Sequence, residues 1–201
     1  MKKQFSPELF REKYKIKSNR HPTWDYAFCG AYFVTICTKN RHECFGEIRN
    51  GIMGLNGLGV IANQFWLNIP NHFKNVELDE WTIMPNHIHG ILWLKNRSND
   101  LNFVTPRRDV LIKRLYDKNQ NKHNYFSTIS PKKGSLSLII RCYKMICTKK
   151  IKIIDNDFSW QPNYHDHIIR NETELNRIRL YIQNNPFNWW RDRNHAMNVW
   201  I

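Results

Sequence analysis

The stretch Trp81–Leu94, WTIMPNHIHGILWL, places two histidines two residues apart inside an apolar run, and this pattern predicts a β-strand. Side chains two apart on a strand point to the same side of a sheet. His87 and His89 would therefore lie side by side, with Ile88 on the opposite face. Neutral imidazole is a common ligand of divalent metals, so the pair forms two corners of a candidate metal site. The alternative is an ordinary half-buried strand with two polar residues on its solvent face.

Electrostatic charge restricts the partners that this chain can bind. Lysine and arginine together number 31 against 17 aspartates and glutamates, which gives a formal net charge of +14 over 201 residues. Such a surface favours a polyanion, most simply nucleic acid, and predicts binding that weakens with salt. An anionic membrane surface and a ribosomal-type role are the alternatives. Apolar residues make up 41% of the chain, enough for a globular domain with a substantial core.

The order of the predicted elements indicates an α+β domain. Strands and amphipathic helices are segregated enough along the chain to favour an antiparallel sheet with helices on one or both faces. The apolar spacing of the middle helix would place Leu138, Cys142, Met145 and Ile146 on its core side. The predicted strands are Ala31–Lys39, two short runs joined by an Asn50-Gly51 turn, Val76–Pro85, His87–Lys95 and Tyr164–Ile168; the predicted helices are Leu58–Phe73, a stretch that begins at Gly134, and Glu172–Asn184.

We expect one folded domain over residues 25–190, preceded by a basic arm over 1–24 and followed by a tail over 191–201. Residues from about 96 to 134 are rich in Asn, Lys, Arg and Ser without a long apolar period, and they are interpreted as a basic insertion. The sequence has no apolar run of bilayer length and no signal-peptide pattern, so we expect no membrane partner. Five cysteines without a paired Cys-x-x-Cys spacing favour a reduced, cytoplasmic protein.

A second pair of functional candidates lies on the last predicted helix. Tyr181 and Asn185 are four residues apart and therefore share one helical face. An asparagine carbonyl oxygen is a competent ligand for Mg²⁺ or Mn²⁺, and a tyrosine beside it would lie near the metal. That arrangement suits attack on a phosphodiester with formation of a covalent phosphotyrosine, provided that a cation or base helps the phenol to ionise. The alternative is a core tyrosine with its hydroxyl satisfied.

Three strings of residues resemble the HUH-class single-tyrosine transposases, and within these the REP-associated tyrosine transposases. They are PNHIHG after an apolar strand, YIQNNP on the last helix, and the lead-in WQPNYHDHIIRNETEL. The likeness runs from GAYFVTICT to NPFNWW and is weakest in the insertion. The resemblance implies a ferredoxin-like antiparallel sheet flanked by helices.

The resemblance also implies a site and an activity. Tyr181 would be the nucleophile, and His87, His89 and Asn185 would hold Mg²⁺ or Mn²⁺. The protein would cut and rejoin single-stranded DNA near hairpins through a 5′-phosphotyrosine intermediate, leaving a free 3′ hydroxyl. The implied partners are single-stranded or hairpin DNA, with the protein in the cytoplasm and at the nucleoid when bound. Relatives include monomers and dimers, so a homodimer is one expectation.

Further residues are candidates for contacts with DNA, through cations on phosphates and aromatic rings on bases. The second His-x-His pair is interpreted as a DNA contact or as support for the metal ligands. Tyr164 is a rival nucleophile, but it lacks an amide one helical turn later. For each candidate, ordinary surface or a packed cover is the alternative. The candidates are Arg141, Lys144, His165, His167, Arg170, Trp189 and Trp190.

Two other functions use the same residues differently. A binding module derived from a transposase would bind structured nucleic acid without cutting it. A metallo-phosphodiesterase would use activated water, with His87 and His89 as ligands and without a bond between protein and DNA.

Overall fold

A four-stranded antiparallel sheet organises the fold. Its strands lie side by side in the order β4 (Val76–Ile83), β5 (His87–Leu94), β1 (Gly30–Cys37) and β6 (His165–Ile169). The structure is a computed structural model that describes residues 24–95 and 131–195. A separate two-stranded hairpin, β2–β3, precedes the first helix. The strands are β1 Gly30–Cys37, β2 Gly46–Arg49, β3 Ile52–Leu55, β4 Val76–Ile83, β5 His87–Leu94 and β6 His165–Ile169; the helices are α1 Gly57–Leu67, α2 Ile69–His72, α3 Leu136–Ile151 and α4 Glu172–Asn184.

The central strand β5 divides its side chains between two cores. Ile88 and Leu92 belong to the larger core, which α1 and α3 cover, whereas Ile91 belongs to a smaller core beneath α4. Gly90 allows α1 to approach the larger face, because a Cβ at this position would lie 2.2 Å from the Trp66 ring. The sheet is therefore covered on both faces, and the odd-numbered residues of β5 point toward α4.

Helix α4 is attached to the edge strand β4 through an irregularity in that strand. The β4–β5 register shifts between Leu78 and Trp81, so the two residues between them can turn toward α4. Arg179 donates to both carboxylate oxygens of Asp79, over 2.8 and 2.6 Å, and the Trp93 indole donates to the same group. This bidentate pair attaches the middle of α4 to β4, two residues before Tyr181.

Removing that attachment is expected to loosen α4. We expect Arg179→Ala to lower the free energy of unfolding by about 1–2 kcal/mol, since it leaves the mostly buried Asp79 carboxylate with fewer donors. Arg49→Ala is the matched control, because its pair with Glu47 is largely exposed, and it should change stability little. Urea denaturation of both variants checks this, and equal losses would contradict it.

The predicted fold class is confirmed, and most predicted elements are present. The Asn50-Gly51 turn joins β2 to β3 with φ of 52° and 75°, as a two-residue hairpin requires. The predicted helix Leu58–Phe73 is instead two helices that meet at Asn68, because Pro70 favours a new first turn. Of the predicted arm over 1–24, residues 1–23 lie outside the described residues, as do residues 96–130 of the predicted insertion.

The predicted core side of α3 is wrong. Met145 is 64% exposed, and the other three predicted positions are only partly covered. Apolar residues occur on several sides of this helix, so spacing alone could not identify the side that packs. The hydroxyl of Tyr143 donates to the Ala62 carbonyl over 2.9 Å, which fixes the rotation of α3 against α1. The buried positions of α3 are Leu136, Ser137, Ile139, Ile140, Tyr143, Cys147 and Ile151.

Candidate active site

The two histidines of β5 are fully buried on the face that α4 covers. His87 and His89 each have 0% exposure, and their ring centroids lie 4.4 Å apart. Trp189, in a 3₁₀ turn after α4, packs over His87 with ring centroids 5.9 Å apart. The two histidines therefore lie on a covered face of the sheet and not on a solvent face.

A buried asparagine orients the first histidine. The Asn86 amide nitrogen donates to the carbonyls of Arg41, over 3.0 Å, and Asn194, over 2.9 Å. Its oxygen therefore faces Nδ1 of His87, 2.8 Å away, and accepts the proton on that nitrogen. The lone pair of His87 is consequently on Nε2, which points into the site. Nδ1 of His89 likewise has a partner, the Thr35 hydroxyl at 2.9 Å.

Tyr181 reaches this face from α4. Its hydroxyl lies 3.2 Å from Nε2 of His89 and 3.2 Å from Oδ2 of Asp192. Phe33 packs against the ring in a T-shaped arrangement, with centroids 6.1 Å apart. The tyrosine is 43% exposed although its hydroxyl is engaged, so one side of the phenol is open to solvent.

Asn185 and Asp192 close the other side of the site. The amide nitrogen of Asn185 donates to Oδ2 of Asp192 over 2.8 Å. Oδ1 of Asp192 accepts from the backbone N–H of Asn194 over 2.6 Å. The oxygen of Asn185 thus remains directed away from the carboxylate. Residues 191–195, predicted as a tail, supply part of this covered site.

Two buried acceptor atoms without hydrogen-bond partners identify where a cation would fit. Nε2 of His87 and Oδ1 of Asn185 are buried acceptors with no partner, an expensive arrangement unless something positive binds them. The ligand atoms of His87, His89 and Asp192 all lie within 4.8 Å of one another. Two imidazole nitrogens with an amide and a carboxylate oxygen form a donor set that suits a divalent ion such as Mn²⁺ or Mg²⁺. The residues present fit the predicted metal.

Burial sets the charge state of the site. It lowers the pKa of both His87 and His89, which keeps the imidazoles neutral and able to act as ligands. Burial would raise the pKa of Asp192, but the His89 ring, whose Nε2 lies 3.8 Å from Oδ2, the nearby His87 ring and the donors of Asn185 and of the Asn194 backbone hold it well below its usual range. Burial and the Asp192 carboxylate raise the pKa of Tyr181. Without further positive charge, the site therefore keeps the phenol protonated.

No protein-family model matches the chain. An uncharacterized protein of Haemophilus influenzae is 36% identical over 181 residues, which span 88% of this chain and 91% of that protein. The chain belongs to the same family as this protein. Shared ancestry over nearly the full length of both chains means that the fold described above applies to the family.

A solved structure shows the same fold. It is a REP-associated tyrosine transposase bound to a REP hairpin, with TM-score 0.50 and 18% identity over 80% of this chain and 68% of that chain. The predicted likeness is thus confirmed at the level of the fold. A candidate transposase from Deinococcus radiodurans superposes more weakly, with TM-score 0.42 and 14% identity over 78% of this chain and 91% of that chain, and the fold assignment does not depend on it.

The predicted DNA-contact residues fall on both faces of the sheet. Arg141 and Lys144 lie on α3, on the opposite face from Tyr181. Lys144 donates to the carbonyls of Gln161 and Asn163, over 2.6 and 2.8 Å, and burial lowers its pKa to about 8. It therefore stabilises the loop before β6. Arg141 is exposed, and a phosphate contact at this position stays a prediction.

The remaining candidates lie on the site face or close to it. His165 is exposed on β6 and pairs in register with Thr35, the neighbour of His89. His167 instead lies 2.8 Å from a carboxylate oxygen of Glu174, which also caps the backbone N–H of Arg170. Trp189 is partly buried against His87, whereas Trp190 is 61% exposed. The rival nucleophile Tyr164 packs against the larger core, away from the histidines.

Sequence analysis missed several residues of the site. Asp192 lies seven residues after Asn185, outside the predicted helix, so helical spacing could not connect the two. Thr35 alternates correctly with Phe33 on β1, and this alternation was a usable signal once β1 was placed beside β5. Arg193 and Arg41 act on His87 through their charges, and Arg193 lowers the pKa of Tyr181 against the larger effects of burial and Asp192. Their proximity depends on the tertiary fold.

Proposed function

We propose that the protein is a metal-dependent endonuclease and strand transferase that cuts and rejoins single-stranded DNA near hairpins through Tyr181. The observation that supports this most directly is the Tyr181 hydroxyl, 3.2 Å from Nε2 of His89 beside two unpartnered metal-donor atoms. The formal net charge of +14 suits a polyanionic substrate. The transposase with the same fold was solved with a REP hairpin, which motivates hairpin DNA as the substrate class.

The proposed reaction is a transfer of one phosphodiester bond. The Tyr181 oxygen bonds to phosphorus, and the bond from phosphorus to the 3′ oxygen breaks. The phenol proton passes to solvent water, and the departing 3′ oxygen takes a proton from water, so the proton count balances. Attack by a 3′ hydroxyl on the phosphotyrosine reverses these steps and rejoins the strand. The bond energy is conserved in the covalent intermediate, so no nucleotide cofactor is required.

Four side chains are proposed to hold the divalent ion: His87, His89, Asn185 and Asp192. A bound Mg²⁺ or Mn²⁺ would polarise the phosphodiester and offset the charge of the phenolate. Asn86 and Thr35 keep the imidazole rings oriented toward that ion. The exposed side of Tyr181 leaves room for the strand to approach.

The test is formation of a covalent adduct. The protein is incubated with end-labelled hairpin DNA and Mn²⁺, and the products are separated on a denaturing gel. We expect a labelled band at the size of the protein, and mass spectrometry of its tryptic peptides should place the nucleotide on Tyr181. Absence of any adduct on a panel of hairpins would overturn the proposal.

The alternative activities predict different products. A water-using phosphodiesterase would cleave the same DNA without a protein-bound label. A binding module would shift the hairpin on a native gel without cleaving it. The raised pKa of Tyr181 favours this second alternative whenever the metal is absent, because a protonated phenol is a poor nucleophile.

Metal binding itself can be measured without DNA. We expect saturating Mn²⁺ to raise the melting temperature, since an ion at a hundredfold excess over its Kd stabilises the folded chain by about 2.7 kcal/mol. His87→Ala should remove this shift, because it deletes the donor whose Nε2 lacks a partner. His165→Ala is the matched control, because His165 is exposed on β6, two strands away from β5, and it should keep the shift. A shift that persists in His87→Ala would place the ion elsewhere.

A further inference from the structure

The outer side of α4 and of the turns after it carries a continuous exposed stripe. Its members are Arg177, Leu180, Asn184, Phe187 and Arg191, spaced three or four residues apart, and all five are exposed. Leu180 is 58% exposed and Phe187 is 72% exposed. The opposite side of α4 is buried in the smaller core. Two apolar side chains in solvent, with an arginine at each end, form an arrangement that the packing of the chain does not require.

The stripe continues past the end of α4 because the backbone stays in helical turns. The N–H of Asn188 donates to the Asn184 carbonyl over 3.0 Å, and that of Arg191 donates to the Asn188 carbonyl over 2.8 Å. Residues three or four apart therefore remain neighbours across the Asn185–Pro186 junction. The Arg191 guanidinium lies 4.2 Å from the centre of the Trp190 ring, which fixes one end of the stripe.

Phe187 is held in place although it is exposed. Its ring and backbone lie against the β2–β3 turn so closely that a Cβ added at Gly51 would lie 2.8 Å from the ring. Gly51 has a φ of 75°, so glycine suits this position both by its backbone conformation and by leaving room for the ring. An aromatic ring that is fixed at one edge and open at its face is ready to stack on a planar group at little entropic cost.

We propose that this stripe is the binding track for unpaired nucleotides next to the phosphate that Tyr181 attacks. Bases would stack on Phe187 and pack on Leu180, and the two arginines would contact phosphates. The location supports this occupant, because Leu180 directly precedes Tyr181 and the strand must reach that exposed phenol. The charge supports it as well, since the stripe carries two cations and no acid. This inference rests on the proposed function and assigns the residues that contact the unpaired nucleotides.

Binding can be tested independently of cleavage. Fluorescence anisotropy would compare three labelled hairpins with one stem: a blunt one, one with a 5′ unpaired tail and one with a 3′ unpaired tail. The full chain is used with EDTA present, so that no metal-dependent cutting interferes. We expect Phe187→Ala to weaken binding of one tailed hairpin on the order of tenfold and to leave the blunt hairpin unchanged. Phe187→Tyr should restore binding, because it keeps the ring.

Two further variants make the test specific. Ile153→Ala removes another exposed apolar side chain, 77% exposed beyond α3, and should change no affinity. Arg177→Gln should reduce the slope of log affinity against log salt by about 0.7 for the tailed hairpin, as expected for one lost contact with a single-strand phosphate. An abasic site moved along the tail should reproduce the Phe187→Ala loss at one position and add nothing to it in that variant.

The outcomes separate this inference from the proposed function. Equal losses on blunt and tailed hairpins, or no loss at all, would overturn the track even if an adduct forms at Tyr181. Tail-specific loss would support the track even if no adduct forms. Light scattering with rising protein concentration tests the other occupant, a second copy of the chain. A dimer that Phe187→Ala dissociates would assign the stripe to a protein interface and overturn the track.

Discussion

Replacing Tyr181 with phenylalanine is expected to abolish the covalent protein–DNA adduct, with a loss of more than about a thousandfold that reaches the background of the gel. The substitution removes one oxygen, which is the only atom that the proposed reaction uses as nucleophile. The phenylalanine ring would keep the contacts with Phe33 and with the His89 ring. The defect should therefore be chemical, and hairpin binding should remain close to that of the unmodified protein.

The same variant should leave the metal site nearly intact. Asp192 loses the hydrogen bond from the phenol but keeps those from Asn185 and from the backbone of Asn194. We expect a change in unfolding free energy of about 1 kcal/mol or less and an unchanged thermal shift with Mn²⁺. Tyr164→Phe is the matched control, since that tyrosine packs in the other core and should retain the adduct. An undiminished adduct in Tyr181→Phe would exclude Tyr181 as the nucleophile.

Local sequence rules predicted most of the fold because the relevant patterns are short. Asn171 caps α4 through its side chain, which accepts from the N–H of Glu174 over 2.8 Å, and the predicted bounds Glu172–Asn184 match the observed helix. The rotation of α3 could not be obtained in this way. Its packing depends on a hydrogen bond between residues 81 positions apart in the chain, from Tyr143 to Ala62. Periodicity carries no information about such a partner.

The residues of the site likewise fall into two groups, those that local patterns predicted and those that depend on the tertiary fold. Strand alternation placed His87 and His89 on one face, and helical spacing placed Tyr181 beside Asn185; the structure brings both pairs together beneath α4. Asp192 could not be predicted, because it arrives through a turn whose path depends on Trp189 packing over His87. Nor could the burial of the histidines be predicted. A strand with alternating polar residues is typical of a solvent face, and only the packing of α4 and the chain after it changes that.

That burial has a consequence for stability in acid. Burial lowers the pKa of His87 and His89 below the ordinary value of 6.5 in the folded chain. The unfolded chain binds protons at its ordinary pKa and the folded chain does not, so protons favour unfolding below about pH 6.5. The stability that the two neutral histidines contribute is fully present above about pH 6.5 and is lost as the pH falls below it. Asp192, whose pKa is also lowered, adds a loss of the same sign only below about pH 4.

We expect the unfolding free energy of the metal-free protein to fall by up to about 2 kcal/mol between pH 7.5 and pH 5 for each histidine that stays neutral. Urea denaturation at half-unit pH intervals measures this slope. His87→Gln should flatten the slope, because glutamine does not titrate, although it lowers stability at every pH. His165→Gln, at an exposed position on β6, should leave the slope unchanged. Adding Mn²⁺ should raise the unfolding free energy at every pH and leave the slope unchanged, since the folded imidazoles are already neutral and carry no protons for the ion to displace. An equal slope of unfolding free energy against pH in the unmodified protein, His87→Gln and His165→Gln would mean that the buried imidazoles do not control acid unfolding. The neutral, ligand-competent state of the site would then need another explanation.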